Sequence, residues 1–365
     1  VRISRGSCEA HAAQVLLWAP MVVTKEDLPV IRSSERMTYK RCPKKWYWAW
    51  RMGLVPKRIT FGALDLGTWV HDAFDGWYGK GLRRTDAPLH QHFSEIAEQA
   101  IGIASANGAP DYVLDKAHEL AALGQAMTEA YQDHYGQDPD VNVIGAEIPL
   151  EFSLADENGL VIAKHLLKPD LVFLDRQGDA WLMEHKTATQ IVTEHLTIDD
   201  QARPYGAMAE RALRKIGLLR KGSRFRGIMY NFLRKAFPDD RLTNDKGQAL
   251  NKNGTVSKKQ PAPLFKRHPV EMTRQAKVVT LQRLQAETIL ITGLTERLRD
   301  GRLQADLLQK TPSKGCPRFC DYFAICQAED GGADIRQMTR DMYQRRNPYT
   351  YDAATTEDVS TFEMG

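Results

Sequence analysis

Residues 168–186, reading KPDLVFLDRQGDAWLMEHK, restrict what this chain can fold into more than any other stretch. Two apolar, strand-like runs, 170–175 and 180–186, are separated by Arg176-Gln177-Gly178. A short loop with Gly at its end suits a tight hairpin in which the Gly takes a left-handed conformation. Folding the hairpin about Gln177 sets Asp170 opposite Glu184, because the two lie equally far from the turn. Residues directly opposite point to one face of a sheet, and Lys186 joins them because strand side chains repeat every second residue. One face thus gathers two carboxylates and an ammonium, in a register that a single bulge would shift.

Two carboxylates this close repel each other unless a cation sits between them. Mg²⁺ and Mn²⁺ favour oxygen ligands and keep positions open for water and phosphate. A neighbouring lysine can orient or deprotonate an attacking water, or offset charge on a phosphate. The bland alternative is a solvated hairpin face closed by a salt bridge, since short patterns recur by accident. The rest of the chain has to decide.

At 365 residues the chain can hold one large domain or two smaller ones. Its 42% hydrophobic and 26% charged content are those of a soluble globular protein. The net charge of +4 is mild, so any contact with nucleic acid must come from local clustering. No apolar run is long enough to span a bilayer, and a cytoplasmic location is expected. Residues 1–20 carry Arg2, Arg5 and a brief apolar patch at 15–18, too short and mixed for a secretory signal. The chain opens on Val and a cleaner segment starts at Met21, so 1–20 are expected to be a dispensable leader or start-site artefact. Five cysteines, an odd number, argue against a secreted disulfide framework. Cys316, Cys320 and Cys326 cluster near the C-terminus, Cys42 stands in Arg41-Cys42-Pro43, and Cys8 is left over.

In chain order, Ser33-Ser34-Glu35-Arg36 opens a helix leading into Tyr39, Cys42 and the aromatic run Trp46, Tyr47, Trp48 and Trp50. Such aromatics read as core rather than a base-stacking platform, although Lys44, Lys45 and Arg51 among them leave a DNA-facing role open. Trp69, Val70, Phe74 and Trp77 follow helical spacing with His71 beside the stripe, and a lone helical His is usually a hydrogen-bonded core or surface residue. Residues 89–134 predict two helices split by Asn107-Gly108-Ala109-Pro110, the second carrying Leu120, Leu123, Met127 and Tyr131 on one face. From Glu147 the period becomes two: Ile148, Leu150, Phe152 and Leu154 alternate with polar residues, Asn158-Gly159 marks a turn, and 160–166 return. The 170–186 hairpin follows, giving a meander that ends at Lys186. Asp199 or Asp200 then caps a helix placing Gln201 and Tyr205 on one face, with Pro204 in its first turn or at a bend. Residues 227–233 read as a strand, 238–270 as a long polar stretch, and 272–299 as an amphipathic helix with Leu281, Leu284, Ile291, Leu294 and Leu298 inward. The tail after Gly331 is polar, ends acidic and is expected to be loosely ordered.

Taken together, the chain resembles the RecB-type branch of the PD-(D/E)XK superfamily, and more narrowly the iron–sulfur exonucleases typified by the CRISPR-associated exonuclease and exonuclease V. That family carries an upstream His, an Asp, a Glu-x-Lys and a downstream Gln-x-x-x-Tyr, matched in order by His71, Asp170, Glu184 with Lys186, and Gln201 with Tyr205. It also carries one N-terminal and three clustered C-terminal cysteines, matched by Cys42, Cys316, Cys320 and Cys326. Two departures stand out. Cys316-x-x-x-Cys320 is one residue longer than the usual C-x-x-C, and Lys168-Pro169-Asp170 replaces the commoner glycine-led form.

The resemblance implies an α/β fold with a mixed central sheet, a helical N-terminal lobe and an iron–sulfur patch joining the two ends. Its layout would be a poorly ordered leader at 1–32, one nuclease domain over 33–330 and a polar tail at 331–365. Within that domain the helical lobe would cover 44–140, the catalytic sheet 145–235, a basic loop 238–270, and the C-terminal helix and cysteine cluster 272–330. His71, Asp170 and Glu184 would ligate Mg²⁺ or Mn²⁺ with the backbone carbonyl of His185. Lys186 would act on water and phosphate, and Gln201 and Tyr205 would position the DNA backbone or Lys186. Phosphodiester hydrolysis does need a Lewis acid, an aligned water and charge neutralisation at phosphorus. Four thiolates fit a [4Fe–4S] cluster and also structural Zn²⁺. The third reading is that the thiols are unlinked. The expected activity is a metal-dependent DNA exonuclease on single strands or frayed ends in recombination, repair or replication. A structure-selective endonuclease and a DNA-end-binding accessory factor are the rivals. With no G-x-x-x-x-G-K-[ST] motif in the chain, unwinding would fall to a helicase or recombination partner.

Residues 246–267 hold Lys246, Lys252, Lys258, Lys259, Lys266 and Arg267 and no acidic residue, while Asn251, Asn253, Gly254, Pro261 and Pro263 disfavour helix or strand. Upstream, Arg224 and Arg226 belong to a second basic run at 211–235. The loop is either a solvated surface element or an arm that follows the DNA backbone, with Lys252, Lys258, Lys259, Arg224 and Arg226 as candidate phosphate contacts. Phosphate contacts release counterions, so an arm of this kind makes affinity fall steeply with salt. Replacing Lys252, Lys258 and Lys259 together with Ala should weaken single-strand binding and flatten its salt dependence in a fluorescence-anisotropy titration. An unchanged affinity and slope would place the DNA path elsewhere.

Overall fold

The computed structural model describes residues 28–57, 60–79, 86–349 and 356–357; most of the expected leader, with Cys8, lies outside them. Strand β1 (Val30–Arg32) runs straight into helix α1 (Ser33–Arg41), and beyond Cys42 follow a short α2 (Pro43–Trp46), a π-helical turn (Tyr47–Arg51) and β2 (Leu54–Pro56). Three long helices come next, α3 (Ala63–Tyr78), α4 (Leu89–Ala106) and α5 (Asp111–Tyr135). Then come β3 (Asn142–Ala146), β4 (Leu150–Ala155), β5 (Val161–Leu167), β6 (Leu171–Leu174), β7 (Ala180–Ala188), α6 (Arg203–Lys215) and β8 (Phe225–Arg234). After a long loop the chain forms β9 (Phe265–Glu271), α7 (Arg274–Arg299), α8 (Cys316–Phe319), α9 (Phe323–Asp330), α10 (Arg336–Met342), β10 (Tyr343–Arg346) and β11 (Thr356–Glu357).

A five-stranded mixed sheet in the order β3-β6-β7-β8-β9 is the platform. β6 and β7 form the hairpin, pairing Leu171 with Met183 and Leu174 with Ala180, so the register carried one step further sets Asp170 against Glu184. The turn explains that register. Gly178 has φ +79°, and the Asp175 carboxylate accepts the amides of Gln177 and Asp179 at 2.9 Å each. β8 lies parallel to β7, as a crossover through α6 requires, and Glu184 and Lys186 pair with Tyr230 and Phe232. One face of the sheet is covered by α3 and α5 through Trp69, Val70, Phe74, Trp77, Met127 and Tyr131, with α4 packed against both helices. The other is covered by α6 and α7 through Met208, Leu213 and Leu284. Of the aromatic run after Cys42, Trp46 and Trp48 are core. Lys44 is also buried, on the Ala305 carbonyl and Glu329, and so is closed to DNA, whereas the half-buried Arg51 faces Glu35.

Four expectations need correction. The 147–186 region is no continuous meander: β4 and β5 form their own sheet with β1, which lies parallel to β5. Pro169 interrupts the chain between β5 and β6 and has no N–H for a ladder, and β3 takes the outer edge of β6 instead. The end of the supposed leader is therefore structured, with Ile31 2% exposed. The end of the polar stretch is a strand: β9 pairs with β8, and its Lys266, Arg267, His268 and Pro269 are tolerable because the strand is at the edge. Finally, part of the polar tail is ordered, because β10 pairs with β2 and buries Tyr343, whose hydroxyl donates to the Asp321 carbonyl at 2.6 Å. Two aromatics anchor this segment, Tyr343 and Tyr349, whose ring lies 5.7 Å from Trp50 and whose hydroxyl donates to Glu35 at 2.9 Å; its polar composition conceals them.

Candidate active site

Asp170 stands just before β6, Glu184 and Lys186 on β7, and His71 on α3. Asp170 Oδ2 accepts the His185 amide at 2.7 Å and lies 3.4 Å from His71 Nδ1. Lys186 Nζ donates to Glu184 Oε1 at 2.7 Å and to Gln201 Oε1 at 3.1 Å. The two carboxyls are pushed in opposite directions, the usual signature of paired acids in one pocket. Burial alone would raise Asp170, but the His71 charge and hydrogen bond, with the His185 amide, hold it below the ordinary range. Burial raises Glu184, and the Asp170 charge adds to it against the pull of Lys186. Burial disfavours the His71 cation, yet the Asp170 charge and hydrogen bond outweigh it and bring His71 to about 8. Lys186 is raised in the same way: burial opposes its charge and Glu184 overcomes it.

The side chain of His185 points away from these groups. Its ring is buried against Phe74, centroids 4.2 Å apart and nearly parallel, and its Nδ1 accepts from Asn231 Nδ2 at 2.8 Å. Burial holds it neutral, at about 3, so its backbone and not its imidazole faces the carboxylates. Gln201 and Tyr205 do not share a helix face. α6 begins at Arg203 with Pro204 in its first turn, so Gln201 sits in the preceding turn, where Asp199 accepts its amide at 2.9 Å. Gln201 reaches Lys186, whereas the half-buried Tyr205 packs with Met208 and Leu213.

The family profile described as the PD-(D/E)XK nuclease superfamily matches residues 34–327. The chain belongs to this superfamily. Curated proteins include no match to it. Among solved structures it is similar to SSO0001, known from a crystal structure, over 82% of this chain and 86% of that one, at 12% identity and a TM-score of 0.31. A likeness of that degree carries no argument.

For a PD-(D/E)XK nuclease the donor set fits a hard divalent cation: the buried Glu184, the half-buried Asp170, an imidazole and a strand carbonyl. Among the described residues no three His, Cys, Asp or Glu groups are already closed around a point for an ion. His71 and Lys186 supply the counter-charge in this arrangement. Sequence reasoning missed several neighbours. Glu147 has φ +51° and donates its amide to the Asp170 carbonyl at 3.2 Å; burial raises its carboxyl while Lys168 offsets that. Asp199, held by the Tyr230 hydroxyl at 2.9 Å, and Asn231 also belong here. None lies in a motif; Asn231 was detectable only as a polar residue in a strand otherwise made for burial.

The cysteines converge as well. Cys42 lies between α1 and α2, Cys316 opens α8, Cys320 ends it and Cys326 lies in α9. All four are free thiols, and Cys320 and Cys326 pack beside Trp48, Tyr322 and Tyr343. Burial raises Cys320 and Cys326, and each also responds to the charge of Cys42; hydrogen bonds from Ser313 lower Cys316. Lys45 lies close to Cys316 and Cys320, and Lys310 to Cys326, cations that favour thiolates. Among the described residues, however, the four thiols do not form a group already placed to hold a metal ion.

The candidate DNA contacts are more scattered. Lys252, Lys258 and Lys259 are exposed on the long loop, which is braced where Arg241 donates to Asp239 and to the Lys259 carbonyl. Arg224 is exposed, and Arg226 pairs with Glu271 at 2.6 Å and Asp179 at 3.6 Å. Both arginines sit at the Ala180 end of β7, about 13 Å along the strands from Glu184 at 3.3 Å per residue, so the fold does not bring them to the carboxylates. A cavity of about 790 Å³ opens between α5, Arg234, Phe237 and Phe265; Asp170 and Glu184 do not line it.

The His71 cation depends on Asp170. In metal-free protein the imidazole should titrate near 8, charged below that pH and neutral above it. In Asp170→Asn the largest raising charge is gone, while burial and the weaker pull of Glu184 remain, so an NMR titration of His71 should show its midpoint falling well below 8. A midpoint still near 8 would mean another group holds the charge.

Proposed function

We propose that this PD-(D/E)XK protein is a cytoplasmic, divalent-metal-dependent deoxyribonuclease acting as an exonuclease on single-stranded or frayed DNA ends. The observation that carries this reading is the opposed pair Asp170 and Glu184, with Lys186 two residues on along the same strand face. His71, Asp170, Glu184 and the His185 carbonyl would hold Mg²⁺ or Mn²⁺, which supplies Lewis acidity at the phosphate and a counter-charge between the carboxylates. Holding the ion requires His71 to give up the proton that Asp170 now favours. Lys186 would then turn from Glu184 toward a phosphate oxygen, steadied by Gln201. That lysine is held as an ammonium, which suits charge neutralisation at phosphorus better than proton abstraction. Tyr205, in the first turn of α6, packs that helix against the sheet after Gln201. No helix among the described residues is long and apolar enough to cross a membrane. DNA is the substrate, and unwinding of longer duplexes is left to a helicase or recombination partner.

Cys42, Cys316, Cys320 and Cys326 would hold a [4Fe–4S] cluster, with structural Zn²⁺ as the rival occupant. Either would fasten α1 to α8 and α9.

Asp170→Ala, Glu184→Ala and Lys186→Ala should each lower turnover of labelled linear single-stranded DNA by about 100-fold or more, with binding little changed. Rates within a few-fold of wild type in folded protein would remove these residues from the chemistry. Circular single strands should survive; their cleavage would favour an endonuclease, and binding without turnover an accessory factor.

Protein purified without oxygen should be brown and contain iron, and Cys42→Ser should lose the colour while Cys8→Ser keeps it. Stoichiometric zinc without a visible chromophore would assign the centre to zinc.

A further inference from the structure

Helix α1 turns Ser33, Arg36 and Lys40, spaced to lie on one face, toward the turn at residues 199–201. Ser33 Oγ donates to the Gln201 carbonyl at 3.3 Å. The Arg36 guanidinium donates to the Asp200 carbonyl and, at 2.5 Å, to Glu287 Oε2 of α7. Lys40 pairs with the Asp200 carboxylate and, at 2.7 Å, with Glu287 Oε1. From the sheet side the Tyr230 hydroxyl holds Asp199. This turn carries Gln201, the group that shares Lys186 with Glu184.

Arg36 is 2% exposed; its two terminal nitrogens meet acceptors while its Nε does not, and a buried guanidinium depends on such contacts. Here it spans a carbonyl of the turn and a carboxylate of α7, a fork that lysine does not reproduce. At its other end α1 passes directly into Cys42, whose amide donates to the Thr38 carbonyl at 3.0 Å.

We infer that Arg36 is a positioning residue for Lys186, acting through the turn at 199–201, and that α1 ties the seating of Lys186 to the anchoring of Cys42. The inference rests on the proposed role of Lys186 at the phosphate. A contact of this kind acts by displacement: a misplacement of about 1 Å remote from the chemistry can cost about 100-fold in rate.

The test is Arg36→Gln, in which Lys40 still pairs with both Glu287 and Asp200, so no buried carboxylate is stranded. On linear single-stranded DNA with Mn²⁺, kcat should fall about 10- to 100-fold while KM stays within about threefold, and Arg36→Lys should recover part of the loss. Amide hydrogen exchange should quicken at residues 199–206 and stay unchanged in β7 and β8. In a Gln201→Ala background, Arg36→Gln should cost little more, since both act on one contact. Full multiplication of the two effects, or unchanged exchange at 199–206, would overturn the inference. Cys42→Ser should quicken the same amides; if it does not fold, Cys326→Ser takes its place, and unchanged exchange would break the link to the cysteines. An inactive wild type would overturn the nuclease reading, and the exchange data would then decide the clamp alone.

Discussion

Asp170 and Glu184 face each other at the open end of a hairpin, and the repulsion between them organises what surrounds them. The fold answers that repulsion unevenly. Asp170 receives a backbone amide and the His71 cation and is held below the ordinary carboxyl range; Glu184, hydrogen-bonded to Lys186, is raised by burial and by the Asp170 charge. Unequal environments for two adjacent carboxyls leave room for a cation, which would bind most strongly where the protein has not already settled the charge. The Gly178 turn and the parallel partner β8 fix where this pair stands, so the electrostatics follow from the ladder.

The strand carrying Glu184 and Lys186 is held from both faces. On the side of α3 and α5, His185 leans on Phe74 and receives Asn231, which also donates to Tyr131 at 3.0 Å. Arg267 adds donors to Tyr131 at 2.7 Å and to Asp138, which in turn accepts from Tyr78 at 2.7 Å. Buried polar chains of this type are costly unless each member is satisfied, and satisfied ones rigidify what they connect. On the other side, Gln201 and its turn reach Lys186 under the hold of α1. Rigid backing on one face and a tied turn on the other keep the ammonium within reach of the carboxylates.

The two ends of the described chain close on each other around the cysteines. Lys44 is buried between the Ala305 carbonyl and Glu329, Tyr322 donates to the Leu54 carbonyl at 2.6 Å, and β10 pairs with β2. Gly53 permits that last approach: with φ +63°, a Cβ there would fall 2.4 Å from the Arg346 carbonyl oxygen. Contacts so distant in sequence hold the two ends of the described chain together through buried aromatic and polar groups.

Local chemistry determined much of this from the sequence alone. The apolar runs around Gly178 set the hairpin, its symmetry set Asp170 against Glu184, and helical spacing marked α3, α5 and α7, because each of these follows from periodicity within one segment. Which edges pair is not a local property. Pro169 reads the same whether β5 continues into β6 or leaves it, and the polar residues of β9 fit either an edge strand or a loop until β8 is placed beside them. Nor does spacing say that Gln201 precedes its helix, that Arg267 is spent on Asp138, or that Arg36 reaches across to residue 200. Those outcomes depend on which buried polar groups must find partners once the layers close, and only the tertiary structure decides that.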